Sequence, residues 1–273
     1  MTGSQNFRTA VLTLDRAGDP SVFGDDVRAA AADLVARYPA GQERSALLPM
    51  LHLVQSEQGY VSPDGIAFCA DFLGITKAQV AAVVTFYTMF KRTPTGEYLV
   101  SVCTNTLCGM LGGDEIFASL KENLGVGNNE TTGDGLITLE HAECLAACDY
   151  APVVTVNYEF FDNQTVASAG ELVAALQGGE RPLPTRGAPL CTFKEIERQV
   201  AGFPDERPES LDAEATGAPT EAGVRLAIQR RESAPSYAVS GDGGADDTAA
   251  AARSSQQPTS SHDAPLTTSD EGD

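Results

Sequence analysis

The sequence predicts an α+β protein with an N-terminal helical bundle, a small open sheet with helices packed on it, and a disordered acidic tail. Apolar residues recur at helical spacing through residues 21–92. Near residue 94 the pattern changes to alternating strands that are separated by single helices. Beyond residue 204 the chain is rich in Ala, Ser, Asp, Gly and Pro and poor in aromatic residues, which is typical of disorder.

Four short helices are expected in the bundle, after a flexible N-terminus at residues 1–20. They correspond to SVFGDDVRAAAADLVARYP, ERSALLPMLHLVQSEQGY, SPDGIAFCADFLG and TKAQVAAVVTFYTMF. Gly59 and Gly74 supply stop signals, and the Ser-Pro pair and Thr76 supply start signals. Phe86 and Tyr87 are expected to pack in the core. Short links between the helices favour a compact bundle.

The second domain, residues 93–180, has the predicted order strand, helix, strand, strand pair, helix. PTGEYLVSVCTNT and LITLEHAEC are expected strands, and APVVTVNYEFFDN is a strand pair with a turn at Asn157. GGDEIFASLKENLG and SAGELVAALQGG are expected helices, the latter with Ser168 as its cap. Residues 181–203 are predicted to be a linker with one short helix. Within the tail, 204–273, only EAGVRLAIQRR is compatible with a helix.

Charge and composition exclude several classes of function. The formal net charge is −20, which disfavours binding to nucleic acid or to anionic lipid. No apolar run approaches the roughly 20 residues of a membrane span, and the N-terminus lacks a signal-peptide pattern. We therefore expect a soluble, non-secreted protein with reduced or metal-bound cysteines.

Four of the six cysteines form two closely spaced pairs, each after a predicted strand. The pairs are Cys103 with Cys108, and Cys144 with Cys148. Buried structural thiols are the simplest interpretation for the other two, Cys69 and Cys191. Thiol–disulfide exchange favours the C-x-x-C spacing, which neither pair has. Zinc accepts four thiolates, but its sites favour C-x2-C turns, so zinc stays open without being favoured.

A [2Fe–2S] cluster is the remaining candidate for the two cysteine pairs. Such a cluster takes four thiolates, so two pairs from two loops satisfy its stoichiometry. Small residues around the pairs allow backbone N–H groups to approach the sulfur atoms. His141 precedes Cys144 by three residues, but with four cysteines at hand we expect it to be a neighbour of the site or a surface residue. His52 lies among leucines and is expected to pack or to lie at the surface.

Three segments together resemble the small [2Fe–2S] subunit of respiratory NADH:quinone dehydrogenase, complex I. They are HLVQSEQGYVSPDGI, VVTFYTMFKRTPTGEYLVSVCTNTLCGMLGG and DGLITLEHAECLAACDYAPVV. The resemblance covers roughly residues 20–180. It implies a thioredoxin-like fold for the sheet domain and a cluster whose ligands are Cys103, Cys108, Cys144 and Cys148. The chain departs from the family at Ala146, where the family usually has Gly.

The resemblance also implies a role in a larger complex. The partner would be the subunit that binds flavin and NADH, together with other subunits of the dehydrogenase module. LGVGNNE is not a nucleotide-binding fingerprint, because Glu130 replaces the final Gly and no helix follows, so NADH and FMN are expected only on the partner. The chain would be cytoplasmic and peripheral on the inner face of the cell membrane through its complex. A diaphorase subunit of a soluble NAD-linked hydrogenase or formate dehydrogenase, and a zinc-stapled adaptor, are the alternatives.

Overall fold

The computed structural model describes residues 18–205, 207–211, 213 and 216–232. The chain divides into two compact units, Met1–Val224 and Arg225–Asp273. Among the described residues, no helix has the length and apolar composition that a bilayer span requires. The predicted flexible N-terminus, except Gly18 to Pro20, and the predicted tail beyond Glu232 lie outside the described residues.

Four α-helices form the N-terminal part of the first unit, as predicted. Their apolar faces share one core, which includes Leu34, Met50, Leu51 and Phe68, all at most 1% exposed. The helices are α1 Asp25–Ala36, α2 Leu47–Gln58, α3 Pro63–Leu73 and α4 Lys77–Phe86.

The predicted start and stop signals of these helices act as expected. The Ser62 side chain accepts a hydrogen bond from the Gly65 N–H, which satisfies one of the donors that a helix start leaves free. Thr76 and Gln79 form a reciprocal capping box at the start of α4. Gly59 and Gly74 end α2 and α3 with φ values of 77° and 63°, a backbone region that favours glycine.

A five-stranded mixed sheet follows, in the spatial order β2-β3-β1-β4-β5. The β1 and β3 strands are parallel neighbours, and every other pair in the sheet is antiparallel. The strands are β1 Tyr98–Cys103, β2 Glu130–Thr131, β3 Ile137–Ala142, β4 Val154–Val156 and β5 Glu159–Phe161. Helix α5, Asp114–Leu124, connects β1 to β2 and β3, and helix α6, Val166–Gln177, follows β5.

Both faces of β1 are buried. On one face, Val100 and Val102 share a core with residues of α5 and α6, such as Ile116 and Leu176. On the other face, Leu99 packs against Phe193 of helix α7, Phe193–Val200. The predicted strand is therefore confirmed, but its alternating pattern does not separate a core face from a solvent face.

Two local predictions near β5 and α6 have different outcomes. The turn at Asn157 is confirmed: Asn157 and Tyr158 have φ values of 47° and 70°, the backbone of a two-residue hairpin turn. The predicted cap of α6 is wrong, because Thr165 is the N-cap and Ser168 completes a capping box with it. The helix therefore starts two residues before Ser168.

Helix α4 ends at Phe86, and this leaves two aromatic side chains outside the core. Phe86 is 75% exposed and Tyr87 is 40% exposed, so the prediction that both pack in the core is wrong. The backbone becomes extended at Tyr87, and Phe90, not Phe86 or Tyr87, is the aromatic residue that enters the bundle core here.

The described residues of the C-terminal part contain three helical segments. Residues Phe193–Val200 form α7, the predicted short helix. Within the segment predicted to be disordered, the described residues include the helical turn α8, Pro208–Leu211, and the helix α9, Ala218–Arg230. The α9 helix contains the helix-compatible stretch noted in the sequence, and it has no buried side chain.

Candidate metal centre

The parallel pairing of β1 with β3 brings both cysteine pairs to one end of the sheet. Cys103 is the last residue of β1 and lies opposite Ala142, the last residue of β3. Cys108 ends a helical turn, Thr106–Cys108, that begins three residues after β1. Cys144 follows β3 by two residues, and Cys148 begins a 3-10 turn. The carboxyl ends of parallel neighbours coincide, so the two loops leave the sheet side by side.

The four thiols consist of a buried pair and an exposed pair. Cys103 and Cys108 are each 3% exposed and pack with Val153, whereas Cys144 and Cys148 are exposed. Partly buried residues of the second loop and of β5 close this small cluster: Leu145, Ala147, Tyr150, Ala151 and Phe160.

Burial affects the protonation of Cys108, one of the two inner cysteines. It raises the pKa of the Cys108 thiol to about 11, and a hydrogen bond with the Cys103 thiol and the charge of Cys148 act in the same direction. In the metal-free protein Cys108 is thus a neutral thiol at pH 7. A metal or cluster that binds it must displace its proton, which makes binding dependent on pH.

Glycines allow the first loop to fold back on the end of β1. A Cβ atom at Gly113 would lie 2.4 Å from the Cys103 carbonyl oxygen and 2.8 Å from that of Cys108. Both neighbours are backbone atoms, so a side chain at Gly113 would push the loop away from the strand. Gly112, with φ 114°, provides the kink before α5 begins.

The second loop contains a strained residue at Ala146, the position where the sequence resemblance leads us to expect Gly. Ala146 has φ 54°, in the left-handed region where a side chain is unfavourable. Its N–H donates to the Cys144 sulfur at 3.4 Å. The left-handed backbone of Ala146, which would suit glycine, thus points the Ala146 N–H at the sulfur of Cys144, a candidate ligand.

The donor set fits a binuclear iron–sulfur cluster. Four thiols, two from each loop, are the ligands that a [2Fe–2S] cluster takes, and a backbone amide already faces one sulfur. In the part of the chain that the structure describes, no three or more His, Cys, Asp or Glu side chains are grouped so that they could hold a metal ion.

The remaining cysteines and His141 lie apart from this chemistry. Cys69 and Cys191 are at most 2% exposed, and burial raises the pKa of both thiols, so the prediction of buried structural cysteines is confirmed. His141 is exposed on β3, and its Nδ1 lies 3.5 Å from the Thr104 hydroxyl, at the edge of the site.

One buried polar network and one partly buried ion pair were not predicted from the sequence. His52 of α2 contacts Glu197 of α7 at 2.6 Å, and Glu197 also accepts a hydrogen bond from the Tyr158 hydroxyl at 2.5 Å. Nearby, Lys91 pairs with Glu140. The members of each are far apart in the sequence, which therefore holds no local signal for them.

A parallel strand pair with two cysteines at or after the end of each strand, on an α+β domain that follows a helical bundle, is typical of an iron–sulfur class of protein. Residues 31–177 match the family model described as thioredoxin-like [2Fe-2S] ferredoxin, and the chain belongs to this family. The predicted thioredoxin-like fold and the prediction of one [2Fe–2S] cluster are thereby confirmed.

Curated relatives extend the similarity beyond the family match. The chain is 56% identical over 222 residues to the E subunit of NADH-quinone oxidoreductase from Mycobacterium tuberculosis, which covers 80% of this chain and 87% of the relative. It is 37% identical over 160 residues to NADH-quinone oxidoreductase subunit 2 of Thermus thermophilus, covering 58% of this chain and 88% of the relative. A flavoprotein 2 of mitochondrial NADH dehydrogenase from Dictyostelium discoideum is 38% identical, over 60% of this chain and 66% of its own.

Proposed function

We propose that this chain is an electron-transfer subunit of an NADH-quinone oxidoreductase, and that Cys103, Cys108, Cys144 and Cys148 hold its [2Fe–2S] cluster. The observation that carries the proposal is the parallel pairing of β1 with β3, which puts both cysteine pairs at one end of the sheet. The similarity to subunits of NADH-quinone oxidoreductases, at 37–56% identity, supports the choice of complex.

When bound, the cluster supplies a centre that accepts and returns one electron at a time. The protein's own contribution is to ligate it, to keep water from its inner side, and to set the polarity around its sulfur atoms. Val153 and the buried Cys103–Cys108 pair form the dry inner side, while the Ala146 N–H provides a hydrogen bond to the Cys144 sulfur.

We infer that the electron is exchanged with the flavin of a partner subunit, which also binds NADH. A partner needs a surface next to the cysteine loops, and the first loop offers one. Leu107, Met110 and Leu111 flank Cys108 and are 42%, 79% and 56% exposed. Apolar side chains that are exposed beside a functional site are typical of a subunit interface. Through such partners the chain would be peripheral on the inner face of the cell membrane.

The ligand assignment is tested by metal analysis and alanine variants of the full-length chain, purified without oxygen. The wild type should contain about two irons and two sulfides per chain and absorb visible light. Cys103→Ala and Cys148→Ala should lose this absorption, whereas the matched buried variants Cys69→Ala and Cys191→Ala should keep it. One zinc per chain and no visible absorption would refute the cluster and favour a structural adaptor.

The proposed electron exchange is tested in the assembled complex. The chain should co-purify with a flavin-binding subunit, and NADH should bleach its cluster only when that subunit is present. Co-purification with hydrogenase or formate dehydrogenase subunits instead would assign the chain to a soluble diaphorase. A cluster that NADH does not reduce in the assembled complex would contradict the proposed exchange with flavin.

A further inference from the structure

The chain segment after α6 runs along the edge of the sheet, beside the candidate cluster site. We call residues 181–190 the C-terminal arm. The arm forms an isolated antiparallel bridge between Arg186 and Phe160 of β5, and the Thr185 N–H donates to the Phe160 carbonyl at 2.9 Å. The arm lies outside residues 31–177, the part that matches the family model, whereas the residues that it contacts below lie inside that part.

Arg186 is fixed by one carboxylate and two aromatic rings. Its Nε and Nη2 donate to the two oxygens of Asp162 at 2.9 and 3.3 Å. Its guanidinium carbon lies 3.8 Å from the centre of the Phe160 ring and 5.3 Å from that of Tyr150. The Asp162 side chain is only 6% exposed and that of Arg186 only 20%, so these contacts are largely shielded from water. A planar, charged guanidinium is the side chain that can make both kinds of contact at once.

The two rings connect Arg186 to the cysteines. Tyr150 belongs to the same 3-10 turn as Cys148, and its carbonyl accepts a hydrogen bond from the Asn163 N–H at 2.8 Å. Both rings pack against the cluster of buried residues that contains Cys103 and Cys108. Arg186 therefore contacts two rings that pack against the cluster of buried residues containing the inner thiols.

A second point of the C-terminal region lies against the same ring. A Cβ atom at Gly217 would come within 1.9 Å of the Tyr150 hydroxyl oxygen, so the chain at Gly217 passes directly over the end of that side chain. In the second cysteine loop Cys144, Ala146 and Cys148 are exposed, whereas Leu145, Ala147 and Tyr150 pack against the buried cluster. Contacts to Tyr150 are thus one of the restraints on the position of this loop.

We infer that Arg186 is a positioning residue for the cluster: it holds Tyr150, and through Tyr150 it holds the loop that carries Cys148 over the buried Cys103–Cys108 pair. The inference rests on the ligand set proposed above. It assigns the C-terminal arm a role in retaining the cluster, in addition to covering the sheet edge.

The test compares the rate of cluster loss in full-length, cluster-loaded variants. Arg186→Leu, Arg186→Lys, Tyr150→Leu and Tyr150→Phe are mixed with an excess of an iron chelator, and the decay of visible absorption is followed. Visible circular dichroism of the bound cluster reports its surroundings, and far-ultraviolet circular dichroism confirms that each variant is folded. Arg37→Leu is the matched control, because Arg37 lies 5.3 Å from the Phe203 ring and pairs with Asp33, on the helical bundle.

Arg186→Leu and Tyr150→Leu should lose the cluster roughly tenfold faster than the wild type, the factor expected from removing a partly buried cation–ring contact. Both should change the visible circular dichroism. Tyr150→Phe keeps the ring and should resemble the wild type, Arg186→Lys should be intermediate, and Arg37→Leu should have no effect. If Arg186→Leu does not fold, Arg186→Lys and Tyr150→Leu provide the comparison.

The inference is overturned if the folded Arg186 and Tyr150→Leu variants lose the cluster no faster than Arg37→Leu. It is equally overturned if Tyr150→Phe behaves like Tyr150→Leu, because the ring would then not be the link. A cluster that survives Cys148→Ala is a different result, since it refutes the ligand set and not the contact between Arg186 and Tyr150.

Discussion

The buried contact between α2 and α7 gives the sharpest prediction about stability. Replacing Glu197 with Leu keeps the volume of the side chain but removes a carboxylate that accepts hydrogen bonds from His52 at 2.6 Å and Tyr158 at 2.5 Å. The His52 side chain, 7% exposed, and the partly buried Tyr158 hydroxyl would then both lose this partner. Each such group costs about 1–3 kcal/mol, so we expect a loss of about 2–6 kcal/mol in the free energy of unfolding.

Urea unfolding of the full-length chain, followed by far-ultraviolet circular dichroism, measures this loss. The matched control is Glu57→Leu, because Glu57 pairs with Arg198 between the same two helices, at 3.8 Å and with side chains 37% and 49% exposed. An exposed pair of this kind contributes at most about 1 kcal/mol. Glu197→Gln should recover most of the stability, since an amide can accept from Tyr158 and donate to His52. A Glu197→Leu variant no less stable than Glu57→Leu would refute the reasoning.

Three further predictions concern the second loop, a buried thiol and the exposed apolar surface. Ala146→Gly should raise the stability of the cluster-free protein by about 1 kcal/mol in urea unfolding, because it relieves the strain of φ 54°, and an unchanged midpoint would contradict this. Burial raises the pKa of Cys191 from 9.0 to about 11. The stabilisation of the folded state that depends on a neutral Cys191 thiol is therefore complete below pH 9 and is lost as the pH rises to 11. Cys191→Ala should remove at most about 2 kcal/mol of that alkaline loss, and parallel pH profiles for the two proteins would argue against it. Met110→Glu should prevent co-purification with the flavin-binding subunit while the cluster remains, whereas Leu211→Glu, at a residue 77% exposed, should not; equal binding by both variants would exclude this surface as the interface.

Local hydrogen bonding explains which elements could be predicted from the sequence. The caps at Ser62 and Thr76 and the stop at Gly74 each depend on residues within four positions, so short motifs identify them. The turn at Asn157 is also local, since it requires two adjacent residues with positive φ. The N-cap at Thr165 was missed because Thr165 and Ser168 are both residues that commonly cap a helix. Only the two hydrogen bonds between their backbone N–H groups and side chains show that Thr165 is the N-cap.

The convergence of the cysteines could be predicted for a different reason. A strand, a helix and a second strand in succession favour parallel neighbours, so residues after both strands meet at one edge. The register of Cys103 with Ala142 bears out that expectation. Which two thiols are buried could not be predicted, because Cys108 owes its burial to Val153 and to the loop beyond it.

Long-range contacts account for the underestimated role of residues 181–203. Their composition indicates a linker, yet Phe193 is 1% exposed and covers Leu99, and the Phe193 N–H donates to the Glu97 carbonyl at 2.8 Å. Glu197 joins the same helix to α2, which lies on the helical bundle. A chain that ended at residue 180 would therefore expose one face of β1 and lose the contact between α7 and α2. Residues 181–203 therefore support β1. This strand ends at Cys103, so the same segment also supports the candidate site.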